Sequence, residues 1–305
     1  MKHLFSALLL SAISFGCFEQ AKAQSPNGKR IIIDVHFHAL SFDAFGYPPP
    51  ANEISGLAPQ SKTNKEVTEA MLAALKKNNI VKAVTSGSLE RVKDFKDADP
   101  DRIIGGMAIG LGIELPDTST FVKLIKSGTV KVFGELWLQY DGKTLGDSSL
   151  EPYLSICERL HIPVAVHEGT GPPGAVYHGM PKLRTSLSNP QLIEEALVKH
   201  PNLRVQLMHA GYPFLEETIA ILNMYPQVNV DLAVIDWIIP TSAFYDYLKR
   251  LIDAGFLKRI MYGSDQMIWE DALHLSIKKI EDAPFLNEQQ KQDIFYNNAK
   301  KILNL

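Results

Sequence analysis

The chain has 305 residues, enough for one large domain or two small ones, with 46% apolar, 9% aromatic and 21% charged side chains. That balance supports a sizeable core and excludes a chain left unfolded for want of apolar surface. A formal net charge of -3 excludes the basic footprint that nucleic acid or an anionic membrane demands, and leaves a small molecule as the expected partner.

The start of the chain differs from the rest. Met1-Lys2-His3 is basic, residues 4–15 are mostly apolar, and Ala21-Lys22-Ala23 offers small residues suited to cleavage. Residues 1–23 are therefore expected to be a secretory signal, with 24–305 as a soluble periplasmic or secreted domain. A second reading takes Cys17, after Ser14-Phe15-Gly16, as a lipid-modified N-terminus, although Phe15 fits such a box poorly. No later segment approaches the roughly 18 uninterrupted apolar residues of a membrane span. Cleavage leaves Cys157 without a partner for an internal disulfide, and its amphipathic surroundings predict a buried, inert thiol.

From residue 30 onward, β-branched apolar runs alternate with helical patterns. The expected strands cover 30–36, 80–86, 102–109, 130–137, 162–167, 203–209, 228–232 and 259–263. Helices are expected at 64–78, 150–160, 190–200, 214–225 and 241–254, each with apolar residues spaced by three and four. Asn287-x-x-Gln290 reads as the cap of a last helix, with Phe295, Ala299, Ile302 and Leu303 on one face. This grammar predicts an α/β fold in one domain, a closed (β/α)8 TIM barrel, although an open doubly wound sheet obeys the same local rules. Long loops at 41–63, 140–149 and 169–189 follow strands, so they are expected at the catalytic face.

The first strand ends in Asp34-Val35-His36-Phe37-His38. Alternation sends His36 and His38 to one face and Phe37 to the other, so both imidazoles can meet one ion. Alone, such a pair is a weak signal. The fifth strand ends at His167, the sixth at His209, and the eighth runs into Asp265; chance agreement at four strand ends is improbable. His161 and His200, near helix ends, read as surface residues. Glu135 stands in the apolar fourth strand, where an unpartnered carboxylate is costly. It can be a metal ligand or pair with a nearby basic side chain. Lys131, a possible modified bridging ligand, is roughly 13 Å farther down the strand and is passed over.

These motifs, IDVHFH, VAVHEG, LMHAG and YGSDQ, with YNNAKKIL near the C-terminus, resemble the amidohydrolase superfamily. The likeness is to its amidohydrolase-related branch of lactonases and aminocarboxymuconate semialdehyde decarboxylase. The resemblance covers about residues 30–305 and implies a (β/α)8 barrel with one or two divalent ions, zinc being the expected metal. Where many relatives carry a modified lysine on strand four, this chain offers Glu135, which leaves the metal count open.

Gly169-Thr170-Gly171-Pro172-Pro173-Gly174 matches the dinucleotide fingerprint in letters only, because its prolines and the following residues read as loop rather than helix. No NAD is expected. Tyr177, His178 and Arg184 in that loop are candidate substrate contacts, with Asp236 and Trp237 weaker ones. The expected activity is metal-dependent hydrolysis of a small ester, lactone, amide or related bond, with Asp265 passing the proton of a metal-activated water to the leaving group. With a single ion, His209 is the alternative base and Asp265 chiefly a ligand. Metal-dependent decarboxylation and non-catalytic ligand binding are the competing functions; a homo-oligomer is possible.

Overall fold

The computed structural model describes residues 30–305, so the expected leader and Cys17 lie outside the described residues. Eight parallel strands follow one another around a single sheet: β1 (Ile32–Ala39), β2 (Ile80–Gly87), β3 (Ile103–Ile109), β4 (Val132–Leu136), β5 (Val164–Val166), β6 (Val205–Leu207), β7 (Val228–Asp231) and β8 (Ile260–Met261). The ends of the sheet meet: the Val35 N–H donates to the Tyr262 carbonyl at 3.1 Å, and the Asp265 N–H to the His36 carbonyl at 2.8 Å. The single-domain barrel expected from the alternating pattern is what forms.

The helices are α1 (Asn64–Lys77), α2 (Leu89–Ala98), α3 (Thr118–Lys126), α4 (Glu151–Leu160), α5 (Glu194–Lys199), α6 (Leu215–Met224), α7 (Ile235–Ile238), α8 (Thr241–Asp253), α9 (Ala272–Glu281), α10 (Glu288–Gln292) and α11 (Asn298–Leu303). Side-chain caps fix several of their starts: Thr63 accepts from the Glu66 N–H, Ser88 from that of Arg91, and Asp117 from that of Thr120. The reciprocal Asn287/Gln290 capping box opens α10 as expected, but a π-helical turn, Asp293–Asn297, then separates α10 from α11. The helix expected over 190–200 begins as a 3-10 turn, Pro190–Ile193, before α5. No helix among the described residues is long and apolar enough to cross a membrane.

Two apolar layers hold the barrel. Outside the strands, Phe37, Phe95, Phe121 and Phe133 pack among the helices with Cys157, whose thiol is buried as expected. Inside, Ile33, Val35, Val84, Val132, Ala165, Met208 and Met261 fill the lower barrel, which Ala299, Ile302 and Leu303 of α11 close from below. Two irregularities shift the inward phase higher up. The β1/β2 register slips between Asp34 and Phe37, so that Val35 and His36 both face inward. The β4/β5 register slips between Phe133 and Leu136, which both pack in the outer layer with Gly134 and Glu135 between them. Such bulges re-aim side chains.

A buried carboxylate ties the upper barrel together. Oδ1 of Asp231, at the end of β7, accepts the N–H groups of His209 and Ala233, both at 3.0 Å, while Oδ2 accepts from Nε2 of Gln206 at 2.6 Å. Asp231→Ala strands two buried backbone donors and is expected to cost about 2–5 kcal/mol in urea unfolding; Asp231→Asn keeps an acceptor and is expected to cost under about 2 kcal/mol.

Candidate metal centre

Above the apolar floor, six side chains from five strand ends converge. His36 and His38 leave β1 on the inward face, Glu135 comes from the β4 bulge, and His167, His209 and Asp265 follow β5, β6 and β8. All are buried. Close approach of backbones makes room for them: a Cβ at Gly134 would lie 2.5 Å from the Ala165 carbonyl, and one at Gly263 would lie 2.7 Å from Cβ of His36.

The two oxygens of Glu135 face two sets of donors. Oε2 lies 3.0 Å from Nε2 of His36 and 3.3 Å from Nε2 of His38, which is itself 2.8 Å from Oδ1 of Asp265. Oε1 lies 2.6 Å from Nδ1 of His167 and 3.7 Å from Nε2 of His209, and those two nitrogens are 3.0 Å apart. Two groups able to hold a cation stand out among the described residues, His36 with His38 and Asp265, and His36 with Glu135 and His209; within each, the donor atoms lie within 4.8 Å of one another. Ligands held about 2.0–2.2 Å from a common ion stand roughly this far apart. Oδ1 of Asp265 makes no well-formed hydrogen bond despite its nearness to His38, the geometry of donors aimed at a shared third point.

Charge within the cluster is strongly perturbed. Burial opposes ionisation of Glu135, but His36, the bond from His167 and the nearby His209 outweigh it and hold the carboxyl well below its usual range. Burial likewise opposes protonation of His36, yet Glu135, Asp265 and Asp231 raise it well above a free imidazole. His167 is lowered by burial and by its neighbour His209. No lysine or arginine pairs with any of these carboxylates among the described residues. Anionic oxygens are thus concentrated where only imidazoles, or a metal, can balance them.

The backbone holds this arrangement in uncommon conformations. His209 (φ 56°) and Asp265 (φ 45°) both occupy the left-handed region, which costs a non-glycine residue roughly 1–2 kcal/mol. The bonds from their N–H groups to Asp231 and to the His36 carbonyl offset that cost. Nδ1 of His209 lies 3.0 Å from the Ala233 carbonyl. A carbonyl only accepts, so Nδ1 carries the proton and Nε2 is free to face His167 and Glu135.

Several supporting residues gave no clear sign in the sequence. Asp34 accepts from the His36 and Ser264 N–H groups and, at 2.5 Å, from the Ser264 hydroxyl, while burial pushes its carboxyl up to about 7. Gln266 bridges the His38 backbone in both directions, and Ser86 Oγ lies 3.3 Å from Nδ1 of His38. Tyr140 places its hydroxyl 3.3 Å from Nε2 of His167. A carboxylate closing an apolar run, as in VNVD, was the available signal for Asp231.

The other expected contacts stand apart from the cluster. Tyr177 is 85% exposed; Arg184 donates to the Pro181 and Leu183 carbonyls. Both line an open pocket of about 360 Å³ beneath the loop after β5, and His178 lies beside Gly174 of the same loop. No hydrogen bond or ion pair links these three to the six clustered residues among the described residues. Asp236 and Trp237 are buried; the Trp237 indole donates to the Ser264 carbonyl at 2.8 Å, and burial with neighbouring Asp34 pushes the Asp236 carboxyl well upward. Lys131 is exposed, outside the cluster. His200, expected at the surface, is instead 4% exposed between Glu151 and Glu158 of α4, at 3.2 and 3.1 Å, because the end of α5 meets α4 there.

Comparison with known proteins follows this geometry. The curated protein fluG of Emericella nidulans is 20% identical over 218 residues, covering 64% of this chain, which spans only about a quarter (24%) of that protein. A probable 2-pyrone-4,6-dicarboxylic acid hydrolase of Acinetobacter baumannii superposes with a TM-score of 0.63 at 17% identity, over 90% of this chain and 99% of its own. A 2,6-dihydroxybenzoate decarboxylase from Rhizobium gives 0.57 at 14%, over 90% and 98%. At such identities these structures share the fold. The model of the amidohydrolase family matches residues 33–305, practically the whole described chain, and the protein belongs to that family.

Proposed function

We propose that the protein is a metal-dependent hydrolase that cleaves an ester, lactone, amide or related bond in a small molecule. The observation that carries this reading is the pair of donor sets around Glu135, with Oδ1 of Asp265 near His38 and without a well-formed hydrogen bond. His36, His38 and Asp265 would hold one divalent ion, His167 and His209 a second, with Glu135 between them; zinc suits this nitrogen and oxygen set. A bound ion supplies an acidified water and a polarised carbonyl oxygen.

The chain's own residues do the rest. Asp265 takes the proton of the attacking water on its other oxygen, Oδ2, and returns it to the leaving oxygen or nitrogen as the water's oxygen bonds to the substrate carbon and the bond to the leaving group breaks. His209 is fixed by the Ala233 carbonyl so that Nε2 faces inward, and it serves as a ligand in this scheme; the lone pair that holds an ion cannot also take the proton of the water. Asp34, Asp231 and Gln266 hold the ligand backbones in place. Tyr177, His178 and Arg184 lie on the loop after β5 and fit an outer, solvent-facing part of the binding site. The basic start, apolar run and small residues of 1–23 support export of the chain.

Elemental analysis of protein purified without added metal is expected to find two ions per chain, and Glu135→Gln to lose at least one. Zero ions in the unaltered protein would remove the basis of the scheme. With an ester that the protein turns over, Asp265→Asn is expected to lower kcat by about 10²–10⁴-fold, and His209→Asn to lower metal content and activity together. Full activity in both variants would exclude the scheme, and release of carbon dioxide without acid and alcohol would identify a decarboxylase instead.

A further inference from the structure

All three tryptophans of the chain follow strands at the mouth of the barrel: Trp137 after β4, Trp237 after β7 and Trp269 after β8. Trp137 is half-buried, and its ring stacks on that of His38 with centroids 5.9 Å apart and planes 28° apart. Around it, Tyr140, Ala175, Leu183, Val176 and Met180 make a separate apolar cluster. Tyr140 carries that cluster to His167, its ring centroid 5.2 Å from the imidazole. Across the mouth, Trp269 stacks on Phe45 at 5.6 Å and meets Trp237 edge-on at 6.2 Å. Phe45 and Tyr47 remain 46% and 60% exposed beside it.

Among the described residues, the buried or loop-held cations near this wall are already engaged. The buried Arg91 is consumed by the Leu40 and Asn64 carbonyls, the Thr68 hydroxyl and Asp94. Lys279 donates to the Trp237 and Ile239 carbonyls, and Arg184 is held by its own loop. A substrate carboxylate or sulfonate would enter beside Glu135 and Asp265, where among the described residues no buried guanidinium or ammonium pairs with the cluster, whereas an aromatic ring finds a flat, half-open partner next to a candidate ligand.

We propose that the substrate is an uncharged aryl compound whose ring lies against Trp137, so that Trp137 determines specificity for the hydrolysis assigned above. This rests on that reading for the reaction but not for the binding. Trp137 acts on the ring rather than on the bond that breaks, so its loss should raise KM and spare kcat.

The test compares two pairs of compounds on the protein as purified. Calorimetric binding of benzamide is set against 4-sulfobenzamide, whose sulfonate adds charge and is a poor metal ligand. Turnover of methyl benzoate is set against methyl 4-sulfobenzoate. We expect the neutral member of each pair to be favoured at least tenfold. Trp137→Ala should weaken benzamide binding and raise KM for methyl benzoate about tenfold, with kcat within twofold and metal content unchanged, and Trp137→Phe should recover most of the loss. Discrimination in binding without turnover of either ester would retain the aryl site and discard hydrolysis. Equal or tighter binding of the sulfonated compound, no benzamide binding at all, or Trp137→Ala lowering kcat and metal content with KM unchanged, would overturn the proposal.

Discussion

A carboxylate, Glu135, sits ionised in the upper barrel with only imidazoles and other acids for company. Removing such a group from water costs several kcal/mol even after the protein relaxes, and among the described residues no lysine or arginine pairs with it. The imidazoles answer only partly, since His36 is drawn towards protonation while His167 is pushed away from it. Much of the surrounding structure follows from bringing nitrogens to the two oxygens of this one side chain: two interrupted strand registers, two left-handed residues and the buried acids Asp34 and Asp231 that hold them.

The regular parts of the molecule were legible because their signals are local. Apolar runs marked all eight strands, Asn287 and Gln290 marked the start of α10, and His36 and His38 share a face across Phe37 as alternation requires. What resisted reading depends on departures from period two. Strict alternation along β4 would put Phe133 and Glu135 on the same face, but the slipped register turns one outward and the other inward. The positive φ of His209 and Asp265 had no glycine to announce it. His200 was misread because burial between Glu151 and Glu158 depends on how two helices meet, which no single segment encodes. Trp137 and Tyr140 leave the strand for a short 3-10 turn, Leu138–Asp141, whose direction strand alternation does not give.

Membership of the family leaves the reaction open. A barrel of this kind is shared by a pyrone dicarboxylate hydrolase and a dihydroxybenzoate decarboxylase at similar superposition, so the fold does not choose between them. The choice rests with the mouth: what stands opposite the candidate metal donors, which charges are already spoken for, and which rings remain open to a ligand. By that criterion the aromatic walls around Trp137 and Trp269 carry more information than the ligands themselves.

The floor of the barrel joins the two ends of the described chain. Ala299, Ile302 and Leu303 complete an interior that begins with Ile33 and Val35, and β1 finds its second neighbour only in the stretch after β8. The surroundings of β1 are therefore complete only when the stretch after β8 and α11 are in place. A fragment that stopped short of α11 would leave Ile33 and Val35 uncovered at the floor, so the two stretches farthest apart along the described chain depend on each other for burial.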